Sequence, residues 1–569
     1  MLPYARMLVS RAARGSALTL LAAALAVVCT WPIAYKLDSV GRLNTADGHW
    51  SLWCVTWVAH ALADDPRDLY NANIFSPHEN TLAYSEANIV PGVLGVPAWL
   101  ITKSPYATHN SVVLMGFIFS FLTAYGLAHY LTRHTVASIL CGIAFAYCPF
   151  IFARTAHIQL LMTFGLPWAM HFMHRLIDRP NWLNAISLGL ILVVQALACA
   201  YYGIFAGLVV GLGVLYYAYT RGLWKKRAYW GYVFVAAALS VAIVGPFFLP
   251  YITVQKELGF TRTIEDANMF SADIGAWLAS SSHGHRWMLQ YLEGWGGWNE
   301  VLFPGFLTTI LGLTGIWIGL RARRNAAAPE VAIFGRTREM TAFYTIVLAI
   351  SFWTSFGPPA GLYTLLFHTI PVFSFLRAPA RVGIVVTMAL GVLMAIAASE
   401  LLRRVAVRRS PRMALAAGVA LAVVLASELA IAPLKLNDAP PIHEAYRKLA
   451  RLPRGVVAEF PFFYERPDFP RHAFYMLNST YHWQPLVNGY SDHIPDDFRR
   501  MVRPLSSFPS RESFRMLHER RTRYVLFHMN YYDARSRDRV KRQIETYKDF
   551  LMPIVQDDEI WMFMITRWP

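Results

Sequence analysis

Charge is what this chain has least of. Asp, Glu, Lys and Arg make up 15% of its 569 residues, where a soluble globular protein carries about a quarter. Hydrophobic residues make up 56%, which excludes an ordinary soluble enzyme and implies a polytopic membrane protein. Cysteine is scarce as well, with five residues at Cys29, Cys54, Cys141, Cys148 and Cys199. All but Cys54 lie inside apolar runs and none falls in the polar C-terminal segment, so neither a disulfide framework nor a metal-ligand spacing can be assembled. Internal repeats and low-complexity linkers are absent.

The charge that is present is unbalanced, at +17. Its basic residues cluster in short stretches between apolar runs: Arg133; Arg175 and Arg179; Arg221, Lys225, Lys226 and Arg227; Arg321, Arg323, Arg324, Arg336 and Arg338; Arg403, Arg404, Arg408, Arg409 and Arg412. That alternation follows the positive-inside rule and reports topology; nucleic-acid binding is not expected. Apolar runs near 17–36, 110–131, 135–153, 158–174, 183–200, 202–219, 229–251, 303–320, 340–357, 380–402 and 413–433 predict about eleven spans. The first follows Arg6, Arg11 and Arg14 and is long enough to span and stay, unlike a cleaved signal peptide. A cytoplasmic N-terminus and an odd span count place everything after Pro433 outside. Two proline-bearing apolar stretches, 89–101 and 360–375, read as interfacial or re-entrant pieces.

The expected fold class is therefore an α-helical polytopic membrane bundle, residues 1–433, with large outer loops at 37–109 and 252–302. A small extracytoplasmic α/β domain, 434–569, follows. In that domain Gly455-Val-Val-Ala-Glu-Phe460, Tyr524-Val-Leu-Phe-His528 and Ile560-Trp-Met-Phe-Met-Ile565 predict strands, and 511–521 and 537–550 predict helices. Nothing there reads as a catalytic elbow, a phosphate loop or a metal site.

The outer loops carry the candidate chemistry. The first is too long for a mere connector and holds Asn44-Thr-Ala-Asp47-Gly-His-Trp50, then an amphipathic aromatic stretch, then Leu82-Ala-Tyr-Ser-Glu86. Further on come Arg154-Thr-Ala-His157-Ile-Gln159, Phe270-Ser-Ala-Asp273, Leu376-Arg-Ala-Pro-Ala-Arg381 and His482-Trp-Gln-Pro-Leu-Val-Asn-Gly-Tyr490. A first span, an outer loop with an early acidic residue and an aromatic helix, many further spans and an outer C-terminal domain together resemble the GT-C superfamily of integral membrane glycosyltransferases. The resemblance covers nearly the full length. It implies transfer of a sugar from a polyprenyl phosphate carrier to a glycan or lipid acceptor at the outer face of a bacterial cytoplasmic membrane. The usual acidic pair of the first outer loop is reduced here to Asp47, followed by Gly48 and His49. One carboxylate alone holds a divalent cation poorly, so a metal cofactor is left open.

Such a transfer needs a carboxylate to activate the acceptor hydroxyl and cations or hydroxyls to neutralise the departing lipid phosphate. Asp47 is the candidate base and Glu86 the second carboxylate. Arg154, His157, Arg377, Arg381 and Tyr201, all expected at outer ends of spans, are the candidate phosphate or carrier contacts. Asp266, Asp273 and His49 are candidate acceptor or metal contacts. Each has a plainer alternative. Asp47 is placed to N-cap a helix starting at Gly48 or His49, Glu86 to pair with a nearby base, and the arginines to snorkel at the interface. Asp266 and Asp273 also suit a solvated loop, and Trp295-Gly-Gly-Trp298 and Tyr201 an interfacial aromatic belt. Two other functions compete: a transporter or flippase of lipid-linked saccharide, and a non-catalytic envelope-assembly protein. A transporter calls for ionisable residues or broken helices near the bilayer midplane; here they gather at span ends and in loops, which favours the transferase.

Overall fold

The structure, a computed structural model, describes residues 2–259, 263–322 and 336–569. Arg323 and Arg324 of the expected basic loop lie outside the described residues. Among the described residues six helical stretches, two of them made of adjoining helices, are long and apolar enough to cross a membrane: Pro105–Thr132, Thr135–Ala153, Ala200–Thr220, Arg227–Glu257, Pro379–Arg408 and Pro411–Glu428. Four shorter apolar helices accompany them, at Gly15–Cys29, Ile89–Thr102, Trp182–Ala198 and Phe306–Arg321. The chain is a multi-pass membrane protein.

Proline sets where several helices depart from the expected bounds. The first runs Leu2–Cys29 and not to residue 36, since Pro32 has no N–H to continue the ladder and residues 30–36 proceed as turns. The expected run 135–153 divides into Thr135–Ala146 and Pro149–Ala153, with Pro149 opening the second piece. The run 158–174 divides into Ile158–Leu161 and Gly165–Asp178. Pro167 falls in the first turn of the latter, where its missing N–H costs nothing.

By contacts the chain forms two compact units. One comprises Met1–Tyr35, Val113–Phe247 and Thr261–Leu434; the other comprises Lys36–Val112, Phe248–Phe260 and Lys435–Pro569. In the first, the helix Gly383–Arg408 is buried along nearly its whole apolar length and is flanked by Phe306–Arg321, Thr337–Ser355, Thr135–Ala146 and Pro411–Glu428. Glycine brings one neighbour close: a Cβ at Gly315 would stand 2.0 Å from the Leu393 carbonyl oxygen. Small residues at a crossing let helix backbones meet where apolar burial gives no preference over lipid.

The second unit is built on a four-stranded mixed sheet in the order Val456–Phe460, Thr522–His528, Ile560–Ile565, Leu551–Gln556. The first pair is parallel and the other two are antiparallel. The strand Leu551–Gln556 was not expected from sequence. Tyr446, Val457, Leu486, Tyr524, Leu526 and Met562 form the core on one face. The sheet also buries a charged group: the Glu459 carboxylate accepts from His528 Nε2 and from the Tyr446 hydroxyl, both at 2.7 Å.

Residues of the first loop pack within this same unit. Ser76 N–H donates to Leu486 O at 2.8 Å and Leu486 N–H to Asn73 O at 2.9 Å, and the Phe75 ring meets Phe498 edge-on at 5.0 Å. The aromatic stretch is the helix Ala46–Asp64, and it is buried on every side from Trp50 to Ala59. The one-faced, amphipathic helix expected from sequence is thus a core helix.

Candidate functional site

In the first unit three helix ends bring the expected carrier contacts together. The short helix Pro149–Ala153 closes on Arg154. Cys199 is extended, so Ala200–Thr220 starts afresh with Tyr201 and Tyr202 in its first turn. The segment ahead of Gly383–Arg408 is held by proline in a short turn, Pro379–Val382, with Arg377 before it and Arg381 within it. Arg377 N–H donates to the Tyr201 hydroxyl at 3.0 Å, and the Arg381 guanidinium lies 4.4 Å from the centroid of the Tyr201 ring. That is well inside the roughly 6 Å within which a cation is attracted to a ring face. The Arg377 guanidinium stands 5.5 Å from the Phe270 ring, and Phe270 O accepts from Ala380 N–H at 3.3 Å.

Arg154 forms an ion pair with Glu300, both side chains mostly buried. It also lies near enough to Arg381 for their charges to repel. Buried like charges persist only where something offsets them, and the Glu300 carboxylate is one such partner for Arg154. Glu300 is the residue that sequence reasoning missed. Its one signal was a lone carboxylate in the Gly- and Trp-rich stretch just ahead of a span. His157 sits in the turn after Arg154, its N–H donating to Arg154 O at 2.8 Å. Tyr202 is buried, its hydroxyl donating to Leu160 O at 3.2 Å.

Asp266 and Asp273 have local partners in the same unit. Asp266 and Thr263 form a reciprocal capping box on Ile264–Met269, and Asp273 Oδ1 accepts from Ala276 N–H at the start of Ile274–Leu278. Nearby, Ser280 Oγ lies 2.7 Å from His285 Nδ1 and Glu428 Oε1 lies 3.1 Å from His285 Nε2. Glu428 also accepts from Leu307 N–H at 3.1 Å, so this buried array fastens the start of Phe306–Arg321 to the end of Pro411–Glu428.

The second unit holds Asp47, His49 and Glu86. Asp47 is not the N-cap: the helix begins at Ala46, and Thr45 caps it by accepting from Gly48 N–H at 3.1 Å. Asp47 lies in the first turn, where a carboxylate is favoured by the exposed N–H groups of the helix end. Gly48 allows the turn, since a Cβ there would stand 1.7 Å from the Arg42 carbonyl oxygen. His49 Nδ1 is 2.9 Å from Thr45 O, and burial pushes its pKa down, so it is a neutral donor to that carbonyl. The peptide after Glu86 is pinned by Ala87 N–H donating to the Tyr251 hydroxyl at 2.8 Å, and Asn88 Nδ2 donates to Glu86 O at 3.1 Å. Among the described residues no group of three or more His, Cys, Asp or Glu side chains is placed to hold a metal ion.

No family model matches the chain, and no curated protein matches it. Solved structures do. The arabinofuranosyltransferase AftD from Mycobacteria superposes with a TM-score of 0.56 at 14% identity, over 97% of this chain and 41% of that one. The chain has a GT-C-like fold. Two further enzymes of the GT-C type match at lower scores. ArnT from Cupriavidus metallidurans gives 0.47 at 12% identity, over 97% of this chain and 98% of that one. The Archaeoglobus fulgidus oligosaccharyltransferase gives 0.48 at 11%, over 96% and 72%. The chain spans about two fifths of the mycobacterial protein, and identities this low speak to the GT-C fold alone.

Proposed function

We propose that this protein is a polyprenyl-phosphate-sugar-dependent glycosyltransferase acting on a cell-envelope glycan or lipid. In this reading it lies in a bacterial cytoplasmic membrane, with a cytoplasmic N-terminus and residues 434–569 outside. The observation that carries the reading is the convergence of Arg154, Arg377 and Arg381 around Tyr201 at the ends of apolar helices. A cluster of guanidiniums at such a level suits a lipid phosphate, whose tail lies in the bilayer while its oxygens need several donors. The GT-C fold supports the same chemistry.

In the proposed reaction the acceptor hydroxyl gives its proton to the Asp47 carboxylate, and its oxygen forms a bond to the anomeric carbon of the sugar. The bond from that carbon to the phosphate oxygen breaks, and polyprenyl phosphate leaves as an anion. The arginines stabilise the charge that develops on the leaving oxygen, which lowers the barrier more than it aids ground-state binding. Glu86 is the second carboxylate of the reading.

Native mass spectrometry of the purified protein tests it. A co-purifying polyprenyl phosphate or phosphosugar is expected, and Arg377→Ala should reduce its occupancy. Preparations from native membranes that carry ordinary phospholipid alone, with the parent and Arg377→Ala alike, would overturn the carrier assignment.

A further inference from the structure

The second unit contains a cavity of about 570 Å³, within the range of about 300–1,000 Å³ of pockets that enclose small ligands. It lies between the end of the helix Ala46–Asp64, the loop that follows it and the stretch 482–485. None of the carrier contacts lines it.

One wall is aromatic. The rings of Trp483 and His60 stack with centroids 4.2 Å apart and planes 6° from parallel, and Trp57 meets Trp483 edge-on at 5.7 Å. Trp483 is held at φ +52°, a left-handed conformation that is costly for a bulky side chain and recurs where a ligand site needs a group aimed in one direction. The rest is polar. Asp64, Asp65, Asp68 and Glu79 line the cavity against one guanidinium, Arg454. His482 also lines it. Its Nδ1 accepts from Gln484 N–H at 3.0 Å, so its proton is on Nε2, which is buried and has no acceptor among the described residues.

An aromatic wall facing carboxylates is what a sugar ring demands. Its C–H faces pack on aromatic rings and its hydroxyls donate to carboxylates. The carboxylate excess repels uronates and phosphorylated glycans. We propose that this cavity binds a neutral oligosaccharide, with a sugar ring against Trp483 and hydroxyls on Asp64 and Asp68. It is the acceptor subsite if the transferase reading holds, on which that role, though not the binding, depends.

The test is titration of the full-length protein in detergent, without any donor. The probes are maltohexaose, mannohexaose and arabinohexaose, with hexagalacturonate as the anionic control, read by tryptophan fluorescence and saturation-transfer NMR. At least one neutral hexasaccharide should bind saturably and hexagalacturonate should not. Trp483→Gly removes the ring while suiting the left-handed backbone, and it should weaken binding at least about tenfold. Asp68→Asn, at an exposed and nearly isosteric position, should weaken it by a similar factor. The proposal falls if no neutral hexasaccharide binds, if hexagalacturonate binds as tightly, or if both variants bind like the parent. Glycan binding without transfer from any polyprenyl phosphate sugar would remove the transferase reading and leave the cavity assignment standing. Transfer with an unchanged acceptor KM in Trp483→Gly would do the reverse.

Discussion

The Arg381 guanidinium lies over the ring of Tyr201 while the Tyr201 hydroxyl accepts from the backbone N–H of Arg377, so one side chain holds both arginines of the Leu376–Arg381 segment. The two halves of that side chain do separable work. The ring face attracts the guanidinium charge, and the hydroxyl fixes the backbone from which Arg377 extends.

Tyr201→Phe should therefore keep Arg381 in place and release Arg377, a loss of about 0.5–1.5 kcal/mol for one hydrogen bond. Tyr201→Leu should release both. Titration of the purified protein with a short-chain polyprenyl phosphate should rank the parent above Tyr201→Phe and Tyr201→Leu last. Equal affinities for all three would remove Tyr201 from the carrier contacts.

Much of the first unit was legible because membrane helices announce themselves by apolar length. The spacing of Arg377 and Arg381 about Pro379 was also plain. What joins Arg154 to Glu300, or Arg377 to Tyr201, was not, since each pair is far apart in sequence and only packing brings its members together. Helix ends followed local chemistry. Thr45, two positions ahead of Asp47, is also a favoured cap residue, and Pro32 and Pro167 mark where a helix stops or starts. The strand Leu551–Gln556 was hidden by its position directly after a helix and by Pro553 within it. The aromatic cavity was invisible for another reason: Trp57 and His60 share one helix but Trp483 comes from a distant segment, and a tryptophan alone does not reveal whether it packs a core or lines a pocket.

Acid should destabilise the second unit through its buried histidines. Burial pushes the pKa of His472 down to about 4 and that of His482 to about 3. His472 cannot easily take a second proton, since its Nε2 faces the Phe463 carbonyl at 3.2 Å and its Nδ1 faces the Asn488 amide nitrogen at 3.3 Å. In the unfolded chain both titrate near 6.5, so between that value and about 4 the unfolded state binds more protons and stability falls as pH falls. For His472 the full loss is about 3 kcal/mol, reached below pH of about 4. Hydrogen exchange of residues 435–569 at pH 7 and pH 5, corrected for the intrinsic exchange rate, should show lower protection at the lower pH. A smaller drop is expected in His472→Gln. Identical protection at both values would contradict the assignment of neutral buried rings.

Topology is open to direct measurement. Reporter fusions after Arg227 and Arg409, each beside a basic cluster, should score cytoplasmic, and fusions after Asp64, Asp273 and Asn437 should score external. An external score at Arg409 would overturn the expected span count and the placement of residues 434–569 with it.

The structure separates the two roles that sequence assigned to Asp47, because Thr45 makes the capping bond. Thr45→Ala should cost about 1 kcal/mol through loss of the cap and lower activity only as far as it lowers the amount of folded protein. Asp47→Asn leaves that cap in place and removes one negative charge from the first turn, worth about 0.3–1 kcal/mol. Folding and membrane insertion should therefore survive. If Asp47 takes the acceptor proton, transfer should nevertheless fall by about two or more powers of ten, since the amide is not a base at neutral pH. The pair of variants sets stability against chemistry at positions two residues apart, with thermal melting read beside the rate of transfer from a polyprenyl phosphate sugar. A mildly destabilised, fully active Thr45→Ala beside a stable, inactive Asp47→Asn is the expected outcome. Normal transfer by Asp47→Asn at normal protein level would move the base away from the helix Ala46–Asp64 altogether.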